Sequence, residues 1–185
     1  MSVHTPATRK SVHLLTTICL VVLLAACSSD DSPGPTGPAI GTANGVPPNA
    51  QVVAFDVVPE VTTGISGIRE RRREVITTQA EWEALWDEIQ APVNPKPAVP
   101  AIDFGSRMVV FASMGERSTG GYSISVLSAA EESGALYVEV EEATPGIACI
   151  TTDVVSTPAV AVSVPRTASA VLFVDREIAY PCAPM

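Results

Sequence analysis

The chain is expected to fold as a mainly β protein with one amphipathic helix, arranged as an antiparallel sheet or a two-layer β-sandwich. Three observations predict this. Short apolar runs, alternating or continuous, recur every ten to twenty residues or so through the second half of the chain. A single segment carries apolar residues at helical spacing. The overall mix, 46% hydrophobic and 17% charged types in 185 residues, has enough apolar surface for a core.

Taken in order, Gln51 to Val58 is extended and apolar and stops at Pro59. Gly64 and Gly67 interrupt a stretch of Val and Ile, and Arg72 to Thr78 forms the next strand. Arg69, Arg71, Arg72 and Arg73 are the one basic cluster, either a solvated hairpin edge or a docking patch for an acidic partner. Thr78 to Gln90 is the helix: Thr78 caps it, Glu81 completes a capping box, and Trp82, Leu85, Trp86 and Ile89 form one stripe. Such a stripe is expected to pack on a sheet, a ligand cage being the lesser alternative. A connection with Pro92, Pro95, Pro97 and Pro100 leads to five strand signals. They are Arg107–Ser113, the alternation around Tyr122, Ile124 and Val126, that of Leu136, Val138 and Val140, the Val160–Val164 run between prolines, and Ala170–Asp175.

The N-terminal part is organised differently. Arg9 and Lys10 precede an apolar run from Leu14 to Leu24, and Ala25, Ala26 and Cys27 follow. The run is too short for a comfortable permanent span, so residues 1–26 are expected to be an export signal. The order Leu24-Ala25-Ala26-Cys27 resembles the bacterial lipobox. That resemblance implies lipidation of Cys27 and a membrane association through the lipid anchor, which two or more acyl chains hold stably. Ser28 is not the aspartate associated with inner-membrane retention, so the expected location is the cell envelope, at the outer membrane where the host has two membranes. Residues 27–50 are rich in Gly, Pro, Ser and Asp and are expected to be a flexible tether reaching roughly 25 Å. The folded domain is expected over residues 51–185.

Composition also bears on chemistry. Net charge is −9, and losing Arg9 and Lys10 with the signal takes it to −11, so no nucleic-acid partner is expected. Both histidines, His4 and His13, would leave with the signal. Ser-His-Asp, Cys-His and His-based zinc chemistry then have no imidazole. A Ser-Lys dyad would have to use Lys96, in the proline-rich connection. Glu131-Glu132 and Glu141-Glu142 are neighbours on strands and point to opposite faces, so they are expected to be solvated surface acids. No catalytic residue, cofactor, metal or small-molecule substrate is called for. Cys149 and Cys182 remain after export, and such a pair is expected to form a disulfide; the redox alternative lacks a C-x-x-C spacing.

Gly115-Glu116-Arg117-Ser118-Thr119-Gly120-Gly121-Tyr122 lies between two strands, as a turn or as a binding loop. With W-x-x-L-W at Trp82–Trp86 before it, and Thr144-Pro145-Gly146, Cys149 and Pro158 after it, the loop resembles the domain of the protease complex subunit PrcB family over roughly residues 70 to 182. The resemblance implies a non-catalytic lipoprotein that associates with an exported protease and supports its assembly or stability. Gly115 belongs to the motif, and Thr119, Gly120, Gly121 and Tyr122 are the candidate partner-binding residues. A second likeness, of Arg117–Tyr122 to the N-P-T-T-G-Y/F loop of chagasin-type inhibitors, implies a wedge at a protease active site, although the Asn-Pro start is absent. A structural envelope lipoprotein is the remaining alternative.

Overall fold

The computed structural model describes Met1, residues 37–61 and residues 64–182. The expected export segment after Met1, Cys27 and the expected tether as far as residue 36 lie outside the described residues. Among the described residues nine strands and one α-helix follow in order: β1 (Ile40–Thr42), β2 (Gln51–Val52), β3 (Asp56–Val57), a 3-10 turn (Pro59–Val61), β4 (Arg71–Ile76), α1 (Gln79–Ile89), β5 (Arg107–Met114), β6 (Ser123–Glu132), β7 (Ala135–Pro145), β8 (Ala159–Pro165) and β9 (Ala170–Tyr180).

Two sheets and the helix form three layers. One sheet has the order β3-β8-β5-β4 and is antiparallel throughout; the other has the order β1-β9-β7-β6-β2. Between them lies a core of Met108, Val110, Val160, Val162, Val138, Val140, Val171 and Phe173, among others. On the far side of the four-stranded sheet, Val109, Phe111 and Ala161 meet Trp82, Leu85, Trp86 and Ile89 of the helix. This explains why β5 and β8 are continuously apolar in sequence: both faces of the sheet they centre are covered, so alternation has no function there. The outer sheet keeps the alternation, with Leu136, Val138 and Val140 buried and Tyr137, Glu139 and Glu141 half-buried.

The helix starts where its capping box predicts. The Thr78 side chain accepts from the Glu81 backbone N–H at 3.3 Å, and the Thr78 N–H donates back to Glu81 Oε2 at 3.1 Å. Both tryptophans are fully buried, and their indoles donate to carbonyls of the proline-rich connection, Trp82 to Pro100 at 3.0 Å and Trp86 to Pro97 at 3.1 Å. The connection thus closes over the helix and satisfies both buried donors. Lys96, on that connection, pairs with Asp87 at 2.8 Å.

Four features differ from the expectation. The outer sheet is mixed, because β9 runs parallel to both β7 and β1. The chain leaves β7, crosses to the other sheet as β8 and returns as β9, which makes β7 and β9 parallel neighbours. The folded part begins upstream of Gln51, since Ile40–Thr42, inside the expected tether, pairs with Val171–Phe173 as an edge strand. Gly/Pro-rich composition gave no sign of this, because a three-residue strand needs only backbone groups and an unfilled edge. Gln51–Val58 is not one strand: β2 pairs with β6 in one sheet, β3 with β8 in the other, and Val53 and Phe55 between them pack on the core.

The fourth difference concerns charge. Glu142 is not a solvated acid; it is 3% exposed and lies on the core-facing side of β7. Arg71 and Arg73 are neither a free hairpin edge nor a free docking patch, because both reach across the end of the sandwich to Glu142 and Asp175. Glu141, on the opposite face as strand geometry requires, pairs with Arg176 at 3.4 Å.

Candidate functional site

The Gly115–Tyr122 loop joins β5 to β6 and sits at the end of the sandwich closed by these ion pairs. Arg71 Nε lies 2.9 Å from Glu142 Oε1 and Arg71 Nη2 lies 2.9 Å from Asp175 Oδ2. Arg73 reaches Asp175 Oδ1 at 2.7 Å and Glu142 Oε1 at 2.5 Å, and also donates to the Ser113 carbonyl at 3.0 Å. Burial pushes the Asp175 carboxyl up, but hydrogen bonds and charge from Arg71 and Arg73 outweigh it, so the group ionises below its ordinary value. The same carboxylates hold the Arg71 guanidinium above its ordinary value against the opposing effect of burial. Acids occupied in this way brace two sheets; they do not present a proton-transferring pair to a substrate.

The loop is cross-braced to the connection between β7 and β8, residues 146–158. Arg117 and Ser156 exchange two backbone hydrogen bonds of 2.8 and 3.0 Å, and the Gly120 N–H donates to the Thr152 carbonyl at 3.0 Å. Ser156 Oγ donates to the Thr119 carbonyl at 2.8 Å, and Tyr180 Oη donates to the Gly121 carbonyl at 2.6 Å. The far end of the connection is held by Thr157, whose hydroxyl accepts from the Ser66 N–H and donates to the Ser66 carbonyl, both at 2.6 Å. Two glycines are required by this closeness. Gly115 has φ +76°, and a Cβ there would come within 2.8 to 2.9 Å of the Arg69–Arg71 backbone; a Cβ at Gly120 would overlap the Thr152 hydroxyl.

Cys149 and Cys182 form a disulfide, the pairing expected of them from the sequence. It ties the start of the connection to the end of β9, beside the 3.0 Å hydrogen bond from the Gly146 N–H to the Tyr180 carbonyl.

The four candidate binding residues are therefore together but not equally available. Gly121 is exposed, while Thr119 and Gly120 are half-buried. Tyr122 packs on the core between the sheets with the Arg117 guanidinium 5.7 Å from its ring centroid. The more accessible surface is the one sequence reasoning missed. Ile147, Ile150, Val154 and Val155 of the neighbouring connection are all exposed, an unusual density of aliphatic side chains for a short loop. The signal was present as four aliphatic residues between Gly146 and Ser156 that follow neither strand nor helix periodicity.

Among the described residues no group of three or more His, Cys, Asp or Glu side chains could hold a metal ion. No curated protein and no solved structure is found to match the chain. Residues 108–165, which take in both loops and leave the helix outside, match the family model described as PrcB C-terminal, the family that the sequence resembles.

Proposed function

We propose that this protein is a lipid-anchored, non-catalytic binding module that associates with an exported protease or protease complex and stabilises it. The partner would meet the face made by Thr119, Gly120, Gly121 and Tyr122 with Ile147, Ile150, Val154 and Val155. The observation that carries the reading is that the family match spans both of these loops. Two further features support it. Exposed aliphatic side chains beside a polar rim are what the centre of a protein interface requires. The cross-bracing from Ser156, Thr152 and Tyr180 holds the face in one shape before binding, so little ordering entropy opposes association. Attachment through Cys27 would place the module in the cell envelope, at the outer membrane where there are two.

The test uses the whole chain in its native membrane, with the candidate protease produced beside it. Ile150→Asp and Val154→Asp are expected to lower cross-linking to the protease and the protease's steady-state amount, with the module's own melting temperature unchanged. Cys27→Ala is expected to move the module into the soluble fraction. Unchanged cross-linking in both aspartate variants overturns the proposed face. Slower turnover by a papain-like protease on adding the module would favour the inhibitor reading over the stabilising one.

A further inference from the structure

β9 has an edge that the fold only partly fills. β1 pairs with Val171–Phe173 and stops, and the last bond on that side is the Ala43 N–H to the Phe173 carbonyl at 2.9 Å. The bond from the Val171 N–H to the Ala39 carbonyl, 2.7 Å, shows that residues 171 and 173 direct their backbone groups to this side. Strand groups alternate sides with period two, so Asp175, Glu177 and Ala179 direct theirs to the same side. The even-numbered residues face β7, as the Gly146 N–H to Tyr180 carbonyl bond shows. Among the described residues no backbone group pairs with residues 175, 177 or 179 on the open side, and all three residues are exposed, although the Asp175 side chain turns to Arg71 and Arg73.

We propose that this edge, Asp175 to Ala179, receives an extended basic segment of a partner protein as an additional strand. Three observations select the site and its occupant. The edge continues a strand pairing that the fold already makes with β1, so the geometry for addition is built. It ends at a shallow depression lined by Gly146, Ile147, Ala179 and Pro181, which joins it to the apolar face next to the Gly115–Tyr122 loop. The charge is acidic: among the described residues Arg176 pairs with Glu141 and Asp175 with Arg71 and Arg73, which leaves Glu177 as the uncompensated charge of the edge. A second copy of this chain fits poorly, because antiparallel self-pairing centred at residue 177 sets Glu177 against Glu177. Two other edges are less suited: β6, open beyond the two residues of β2, has a register shift between Val126 and Ser128, and β4 carries Arg71, Arg72 and Arg73.

This inference deepens the partner-binding reading and rests on it only for the occupant being another protein. Its test therefore uses a probe, not the protease: a capped seven-residue peptide of alternating Lys and Val, added to the whole chain in detergent. The backbone amides of Glu177 and Ala179 are expected to exchange with solvent quickly in the free protein and at least about tenfold more slowly with saturating peptide. The same peptide with Glu for Lys is expected to bind about tenfold more weakly. A peptide N-methylated at alternate residues and the variant Ala179→Pro are each expected to abolish binding. The methylated peptide keeps the test decisive should the proline variant fail to fold. Amides already protected in the free monomer, protection that grows with protein concentration alongside a dimer mass, or peptide-induced shifts confined to other residues would each overturn the proposal. Loss of protease cross-linking with retained peptide binding would count against the protease reading and leave this one standing.

Discussion

Arg71 and Arg73 from β4, Glu142 from β7 and Asp175 from β9 close one end of the sandwich with charge where an apolar core would otherwise meet water. Two acids side by side on the core face of one sheet would repel, and the two guanidinium groups from the other sheet convert that repulsion into a link between layers. Removing one partner leaves the others uncompensated, so Glu142→Gln is expected to lower the unfolding free energy by roughly 2–4 kcal/mol in urea titrations. Asp175 adds a pH dependence of definite sign. Its folded carboxyl ionises below the ordinary value, while the unfolded one takes up a proton near pH ~3.9. Its stabilisation is thus complete above that pH and is lost as pH falls toward the depressed folded value. Comparing urea midpoints at pH 5 and pH 3, the wild type is expected to lose more than Asp175→Asn. At Gly120 the constraint is steric. Gly120→Ala is expected to cost about 1–3 kcal/mol, and adding Thr152→Ala should recover a large part of it, because the hydroxyl that the new methyl overlaps is gone.

At the scale of elements, the helix was the most legible part of the chain. Its cap, its apolar stripe and its end all depend on residues within one turn of each other, and the structure keeps all of them. Thr78→Ala is expected to cost about 1 kcal/mol in thermal or chemical unfolding, through loss of the bond to the Glu81 N–H. The long strands were legible too, though for two different reasons. β7 shows alternation because one face is less covered; β5 and β8 show none because the helix covers the face that would otherwise be polar. The short strands were not legible. β1, β2 and β3 have two or three residues each, too few for a period, and exist because longer strands offer them unpaired backbone groups.

For the whole molecule, the disulfide and the crossing of the chain between sheets hold the candidate face in place. The Cys149–Cys182 bond closes a loop of 33 residues that includes all of β8 and all of β9. Replacing both cysteines with alanine is expected to lower stability by about 3–4 kcal/mol on the chain-entropy estimate, read as a fall in the urea midpoint under non-reducing conditions. Loss of order should begin at the 146–156 connection, seen as faster amide exchange there than in β8. The candidate site was half legible. The glycines of the Gly115–Tyr122 loop announced themselves by type, because backbone contact demands them. The exposed aliphatics at Ile147, Ile150, Val154 and Val155 did not, because a hydrophobic residue in a sequence is expected inside until the fold leaves it outside.

What the sequence determined alone is whatever depends on near neighbours: the capped helix, the long strands and the small-residue turn. Tertiary structure alone decided that Glu142 is an internal ion-pair partner, that β9 runs parallel to β7, and that part of the Gly/Pro-rich segment is an edge strand. The physical reason is range. A capping bond spans three residues, whereas Arg73 finds Glu142 across 69 positions, and no local pattern records a charge that is satisfied from another sheet.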